Sequence, residues 1–255
     1  MTPRKFFLFT ATTALIGLST LGGSPATASA ADDAFSEAQK AALASFIEDY
    51  LVKNPDVVVK ALTEYQKKQE SAEQGQFVQK YQDKKDALLN GGAPFAGNPA
   101  GDVTIVEFFD YNCGYCKKAL DDVVKLLDTD KKLKVIFIDM PILSPASQDA
   151  ARWALAAGKQ GKYYEFHVAL MKGSEPKNET GFEAIAQKLS LDMDKLKKDA
   201  DSKEVREAIE KNLSIARELG IRGTPGFIIG DILTPGYVGY DSMKAGIDLI
   251  RQGKK

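Results

Sequence analysis

At 255 residues, with 44% hydrophobic and 27% charged side chains, the chain has ordinary globular composition and room for one sizeable domain plus an appendage. A formal charge of -1 excludes the basic footprint that nucleic-acid binding requires. Two cysteines are too few for a secreted scaffold held together by scattered disulfides.

Arg4 and Lys5 precede an uncharged apolar run from Phe6 to Leu21, and Ala28-Ser29-Ala30 then offers small residues at a cleavage point. Residues 1–30 therefore read as a secretory signal peptide. An uncleaved anchor is the rival reading, but Thr, Ser and Gly interrupt the run and an A-x-A site follows it. No cysteine lies near that site to carry a lipid, and no later segment is long and apolar enough to span a membrane. The mature protein is expected to be exported and soluble.

Residues 31–90 are almost free of glycine and rich in Ala, Gln, Lys and Glu, which predicts a helical arm. Ser36-Glu37-Ala38-Gln39 has the form of a capping box. Leu43, Phe46, Ile47, Tyr50 and Leu51 follow on one helical face. Asn54-Pro55 ends that helix and starts another, in which Val58, Ala61, Leu62 and Tyr65 continue the stripe. From there to about Lys85 the sequence is mostly polar and reads as a stalk, with Gly75 its weak point. The arm is too poor in apolar residues to build its own core. Its stripe packs either on the rest of the chain or on another copy.

After Gly91-Gly92-Ala93-Pro94 the pattern changes, and residues 91–255 read as one catalytic domain. Asp102 to Phe109 is a β-branched, apolar strand; Cys113 to Leu127 is a helix with Ala119, Leu120, Val123 and Leu127 on one face; Leu133 to Ile138 is a second strand. Together they make a βαβ unit with a parallel pair. A helical block follows from Pro145 to Leu219, broken near Gly161, Gly173 to Asn178 and Ser190. Gly226 to Gly230 and Ile232-Leu233 predict a hairpin turned at Gly230-Asp231, and a helix from Ser242 to about Gln252 closes the chain. The fold class is α/β, with a helical insertion and a preceding helical arm.

Both cysteines lie in Cys113-Gly114-Tyr115-Cys116, at the junction of the first strand and its helix. A disulfide closing so short a loop removes little unfolded-state entropy, so it is a poor structural staple. Zinc needs three or four ligands, which two cysteines and one histidine do not provide; His167 reads as a packing residue. Two thiolates alone can hold Cu(I), so copper binding by Cys113 and Cys116 stays open. A helix N-terminus stabilises a thiolate, which makes Cys113 the attacking sulfur and Cys116 the resolving one. Glu107, inside the apolar strand, is a candidate to accept the Cys116 proton; its alternative is a solvated edge position. Thr224-Pro225 enters the hairpin strand, where a cis bond would expose the Thr224 backbone to a client strand.

The stretch Phe108-Phe109-Asp110-Tyr111-Asn112-Cys113-Gly114-Tyr115-Cys116, the segment Met140-Pro141-Ile142-Leu143-Ser144-Pro145-Ala146-Ser147 and Gly223-Thr224-Pro225-Gly226 resemble the DsbA-like branch of the thioredoxin superfamily. The resemblance covers about residues 102–251 and implies a thioredoxin-like fold. Its redox centre would be Cys113-Cys116 with no further cofactor, and Gly114, Tyr115, Thr224 and Pro225 would lie against substrate. Phe46 to Leu51 before Asn54-Pro55 is similar to the N-terminal region of the ScsC (suppressor of copper sensitivity protein C) group, some of whose members trimerise and act as disulfide isomerases. That likeness implies homo-oligomerisation through residues 36–65, a periplasmic location, reduced or misoxidised client proteins and a membrane redox partner. Strong DsbA-type oxidases carry Pro-His between their cysteines; Gly114-Tyr115 offers no such positive charge, which implies a less oxidising couple. A disulfide isomerase or reductase is the expected activity, with a monomeric dithiol oxidase and a copper-tolerance protein as alternatives.

Overall fold

The computed structural model describes residues 35–253, so the signal-peptide reading of residues 1–30 lies outside the described chain. The chain divides between Ala61 and Leu62 into two compact units.

In the first unit, helix α1 spans Glu37–Lys53. Ser36 caps it as the sequence predicts: its hydroxyl accepts from the Gln39 N–H, and the Gln39 side chain accepts from the Ser36 N–H. Asn54 closes the helix by donating its own N–H to the Tyr50 carbonyl at 2.9 Å. Pro55 then opens α2, which spans Pro55–Leu89 and crosses the division between the units. None of the α1 side chains is buried, and Phe46 is 65% exposed.

The second unit is built on a five-stranded sheet of order β1-β3-β2-β4-β5. Strand β1 is Phe95–Gly97 and β2 is Val103–Phe109, followed by α3, Gly114–Thr129, and β3, Leu133–Asp139. Strands β2 and β3 are parallel, which a right-handed crossover through α3 permits. The insertion comprises α4 (Pro145–Gly158), α5 (Tyr163–Lys172), α6 (Glu179–Lys188), α7 (Met193–Ala200) and α8 (Lys203–Leu219). Strand β4 (Gly226–Ile229) pairs antiparallel with β2, β5 (Ile232–Pro235) pairs with β4, and α9 (Tyr240–Gly253) ends the described chain. Gly230 makes the β4–β5 turn at φ 65°, a left-handed conformation that favours glycine.

Alternation along β2 assigns its side chains to two cores. Ile105 and Phe109 join Val135, Phe137, Phe227 and Ile229 under α3 and much of the insertion. Val106 and Phe108 join Ile136, Ile138 and Ile228 on the opposite face, which α8 covers with Ile215, Ala216 and Leu219. This second face also takes Phe77, Tyr81 and Leu88 from α2, none more than 3% exposed. The polar segment that reads as a stalk is thus partly core. Its apolar residues are few but lie on one side of the helix, and α2 runs through Gly75 without a break.

Three smaller differences from the sequence reading have simple causes. Strand β1 is only three residues, Phe95-Ala96-Gly97, too short to leave a periodic signal in the sequence. The insertion breaks once more at Asp201-Ser202, where Ser202 caps α8 by accepting from the Val205 N–H. On α3 the deeply buried residue is Leu126, with Leu127 partly buried beside it.

Candidate active site

The site forms where β2 ends and α3 begins. Phe109 is the last residue of β2, and its carbonyl accepts from the Met140 N–H just beyond β3 at 2.9 Å. The chain then turns through Asp110, Tyr111 and Asn112, and the Cys113 N–H donates to the Asp110 carbonyl at 3.1 Å. Cys113 occupies the N-cap of α3 with extended backbone, and its sulfur accepts from the Cys116 N–H at 3.2 Å. The sulfur in this position faces the positive end of the helix dipole and an otherwise unpaired N–H.

Cys116 lies one turn along, fully buried. Burial pushes its thiol far above the usual range, hydrogen bonding with Cys113 adds to this, and the Glu107 charge acts in the same direction. Both residues are buried in the same cluster, Cys113 at 6% and Cys116 at 0% exposure, the first at the helix terminus and the second one turn inside it. The peptide bond Thr224-Pro225 is cis, and the Cys113 thiol donates to the Thr224 carbonyl at 3.3 Å. Gly114 is the first residue of α3 and is exposed. Tyr115 is 61% exposed and stacks on Tyr237, ring centres 6.3 Å apart, while Tyr237 donates to Asp122 at 2.7 Å.

Glu107 sits in the middle strand of the sheet, flanked by Phe137 on β3 and Phe227 on β4. It is 1% exposed, and its Oε2 makes no hydrogen bond. Burial alone raises its carboxyl to about 8. The structure thus joins Cys113 to Cys116 and to Thr224 by hydrogen bonds, with Glu107 buried in the middle strand and its charge acting on Cys116.

Two groups of residues escaped the sequence reading. The first is Asp110, 1% exposed, whose carboxylate accepts four hydrogen bonds that join the cysteine loop to the segment before α4. Its signal was a charged residue closing an apolar run. The second is a buried polar cluster, in which Tyr163 donates to Asp139 at 2.7 Å and the Tyr111 hydroxyl meets His167 Nδ1 at 3.2 Å. Burial raises Asp139 to about 7 and lowers His167 to about 3, so the imidazole is neutral and packs as the sequence suggests. Among the described residues no group of three or more His, Cys, Asp or Glu side chains could hold a metal ion, and no helix is long and apolar enough to cross a membrane.

Comparison with known proteins agrees with this geometry. A thioredoxin-like oxidoreductase from Silicibacter pomeroyi DSS-3 superposes with a TM-score of 0.63 at 45% identity, over 66% of this chain and 97% of that one. Proteus mirabilis ScsC in a transitional conformation superposes with a TM-score of 0.62 at 27% identity, over 85% of this chain and 98% of that one. The probable disulfide bond formation protein D of Bacillus anthracis is 29% identical over 187 residues, covering 65% of this chain and 83% of that protein. The chain is also 26% identical over 147 residues to Na(+)/H(+) antiporter NhaA 1 of Salinispora arenicola (strain CNS-205), of which it spans only 22%. Residues 39–72 match the copper resistance protein ScsC N-terminal domain. With residues 104–248 matching the DSBA-like thioredoxin domain, the chain belongs to the DsbA-like thioredoxin family and carries an ScsC-type N-terminal domain ahead of that fold.

Proposed function

We propose that the protein is an exported, periplasmic thiol-disulfide oxidoreductase that reduces or reshuffles misformed disulfides in client proteins. The observation that carries this reading is the Cys113 sulfur at the N-cap of α3, 3.2 Å from the Cys116 N–H and 3.3 Å from the Thr224 carbonyl. As thiolate, Cys113 attacks a client disulfide; a Cys113–client bond forms and the other client sulfur leaves with the electron pair. Cys116 then attacks the Cys113 sulfur, its proton passes to Glu107 in the ionised form that this carboxyl reaches as pH rises through about 8, and the client departs as thiolate from a Cys113–Cys116 disulfide. A membrane redox partner restores the dithiol. In isomerisation the released client thiolate attacks the mixed disulfide instead and returns Cys113 reduced. Exposed Tyr115 and the Thr224-Pro225 backbone face the client strand.

Direction and assembly rest on further support. Gly114-Tyr115 adds no positive charge beside Cys113, which favours a less oxidising couple than a Pro-His dipeptide gives. The exposed stripe of Phe46, Ile47 and Tyr50, at 65%, 47% and 47%, supports self-association through residues 36–65. Refolding of scrambled ribonuclease, with the reduction potential of Cys113–Cys116, tests the reading: isomerisation and a potential below that of strong oxidases are expected. A strongly oxidising potential without isomerisation favours a dithiol oxidase. The match to a copper resistance domain keeps Cu(I) capture by the two thiolates as a second reading, which anaerobic Cu(I) titration tests.

A further inference from the structure

Asp110 is buried three residues before the attacking sulfur, yet no step of thiol exchange requires its carboxylate. Its Oδ1 accepts from the Asn112 N–H and from the Ser147 hydroxyl, both at 2.7 Å. Its Oδ2 accepts from the Ile142 N–H at 2.9 Å and the Leu143 N–H at 3.0 Å. Asn112 strengthens the tie, donating to Ser144 Oγ at 2.8 Å and to Ser147 Oγ at 2.9 Å. One oxygen of a single carboxylate thus holds the cysteine loop, and the other holds two consecutive backbone donors of the segment after β3. Hydrogen bonds to an ionised acceptor are the stronger and more directional kind.

The residues held on the far side are Ile142 and Leu143, which are 43% and 53% exposed. Asp110 accepts from their N–H groups through its carboxylate and from the Cys113 N–H through its carbonyl, and large apolar side chains tied in this way to the loop of a nucleophile suit an unfolded polypeptide, whose reactive cysteine is flanked by residues that a folded protein would bury. The loop tie is not needed to make α4: Ser144 already caps that helix by accepting from the Ser147 N–H. What the carboxylate adds is register between Cys113 and the apolar pair.

We propose that Asp110 is a positioning residue that sets client preference, by holding Ile142 and Leu143 as a fixed contact for apolar residues flanking the client cysteine. This inference rests on thiol exchange at Cys113. It deepens that reading by naming the chemistry of the client segment.

The test uses the reduced full-length protein and two single-cysteine peptides, each a mixed disulfide with thionitrobenzoate, one with Leu and Phe flanking its cysteine and one with Ser and Gly. Cys113 attacks the peptide sulfur and thionitrobenzoate leaves as a coloured thiolate; Cys116 then releases the peptide thiol as the protein becomes oxidised. Wild type prefers the apolar-flanked peptide in the second-order rate constant of this single turnover, chiefly through half-saturation at a lower peptide concentration. The preference falls by roughly tenfold in Asp110→Asn and in the double variant Ile142→Ser with Leu143→Ser. A variant that slows both peptides equally and keeps the preference overturns the inference, because a merely structural loss acts on both. If Asp110→Asn does not fold, the double surface variant decides by the same criterion. Wild type that reacts with neither peptide overturns the exchange reading itself, a result distinct from retained preference in the variants.

Discussion

Glu107→Gln keeps the shape of a side chain that is 1% exposed but removes its ability to ionise. Burial holds the folded carboxyl at about 8, against 4.5 for a free side chain. Between those values the unfolded chain releases its proton while the folded chain retains it. The penalty on folding is therefore absent below pH 4.5, grows as pH rises, and levels off above pH 8. Each unit of difference is worth about 1.4 kcal/mol, which gives a full penalty of about 5 kcal/mol and about 3 kcal/mol at neutral pH. Urea unfolding of both proteins from about pH 5 to about pH 9 measures it. The variant is expected to be the more stable at neutral and alkaline pH, with the gap closing towards pH 4.5. Asp139, raised to about 7, titrates in both proteins, so the variant keeps a shallower decline of its own. Wild type and variant losing stability in parallel across this range would refute the buried-acid argument. On the proposed mechanism the same substitution also removes the proton acceptor for Cys116, so the resolving step is expected to slow by roughly a hundredfold while the fold gains stability.

Three other outcomes follow from the same structure. Cys116→Ser leaves Cys113 able to attack without a resolving sulfur, so a client adduct should accumulate on non-reducing electrophoresis; free turnover of client would contradict the assigned order of attack. Phe77→Ala should cost about 3 kcal/mol in urea unfolding, because it empties a fully packed position over β2 and β3. A loss below about 1 kcal/mol would mean that this half of α2 is not part of the cooperative fold. Phe46→Asp combined with Ile47→Asp should reduce the mass measured by light scattering to that of a single chain, and an unchanged mass would remove the stripe as the contact.

The central strands, the dithiol junction and the hairpin were legible because each is encoded locally. Val103 to Phe109 is a β-branched apolar run, Cys113 follows it after three residues, and Gly230-Asp231 marks its own turn. The Asp110 tie was not legible, because three of its four partners lie 32 to 37 residues away and two of those three are backbone N–H groups that every sequence possesses. The docking of α2 was half visible: Phe77, Tyr81 and Leu88 share a helical face, but the Gln and Lys residues between them dilute the periodicity. Glu107 was identified by its place in an apolar strand. Its proximity to Cys116, rather than to an exposed edge, depends on β4 pairing on its far side, and that pairing spans more than half of the domain.

The contribution of α2 to the second face of the sheet has a consequence for biogenesis. Phe77 and Tyr81 are made early, but Ile215, Leu219 and Ile228, which share their cluster, come near the end of the chain. A polypeptide emerging from its N-terminus can therefore cover the early aromatic pair only in part, with β2 and β3, until synthesis has passed β4. Contacts of such long sequence separation form slowly, and they leave the nascent chain dependent on being shielded until it is nearly complete.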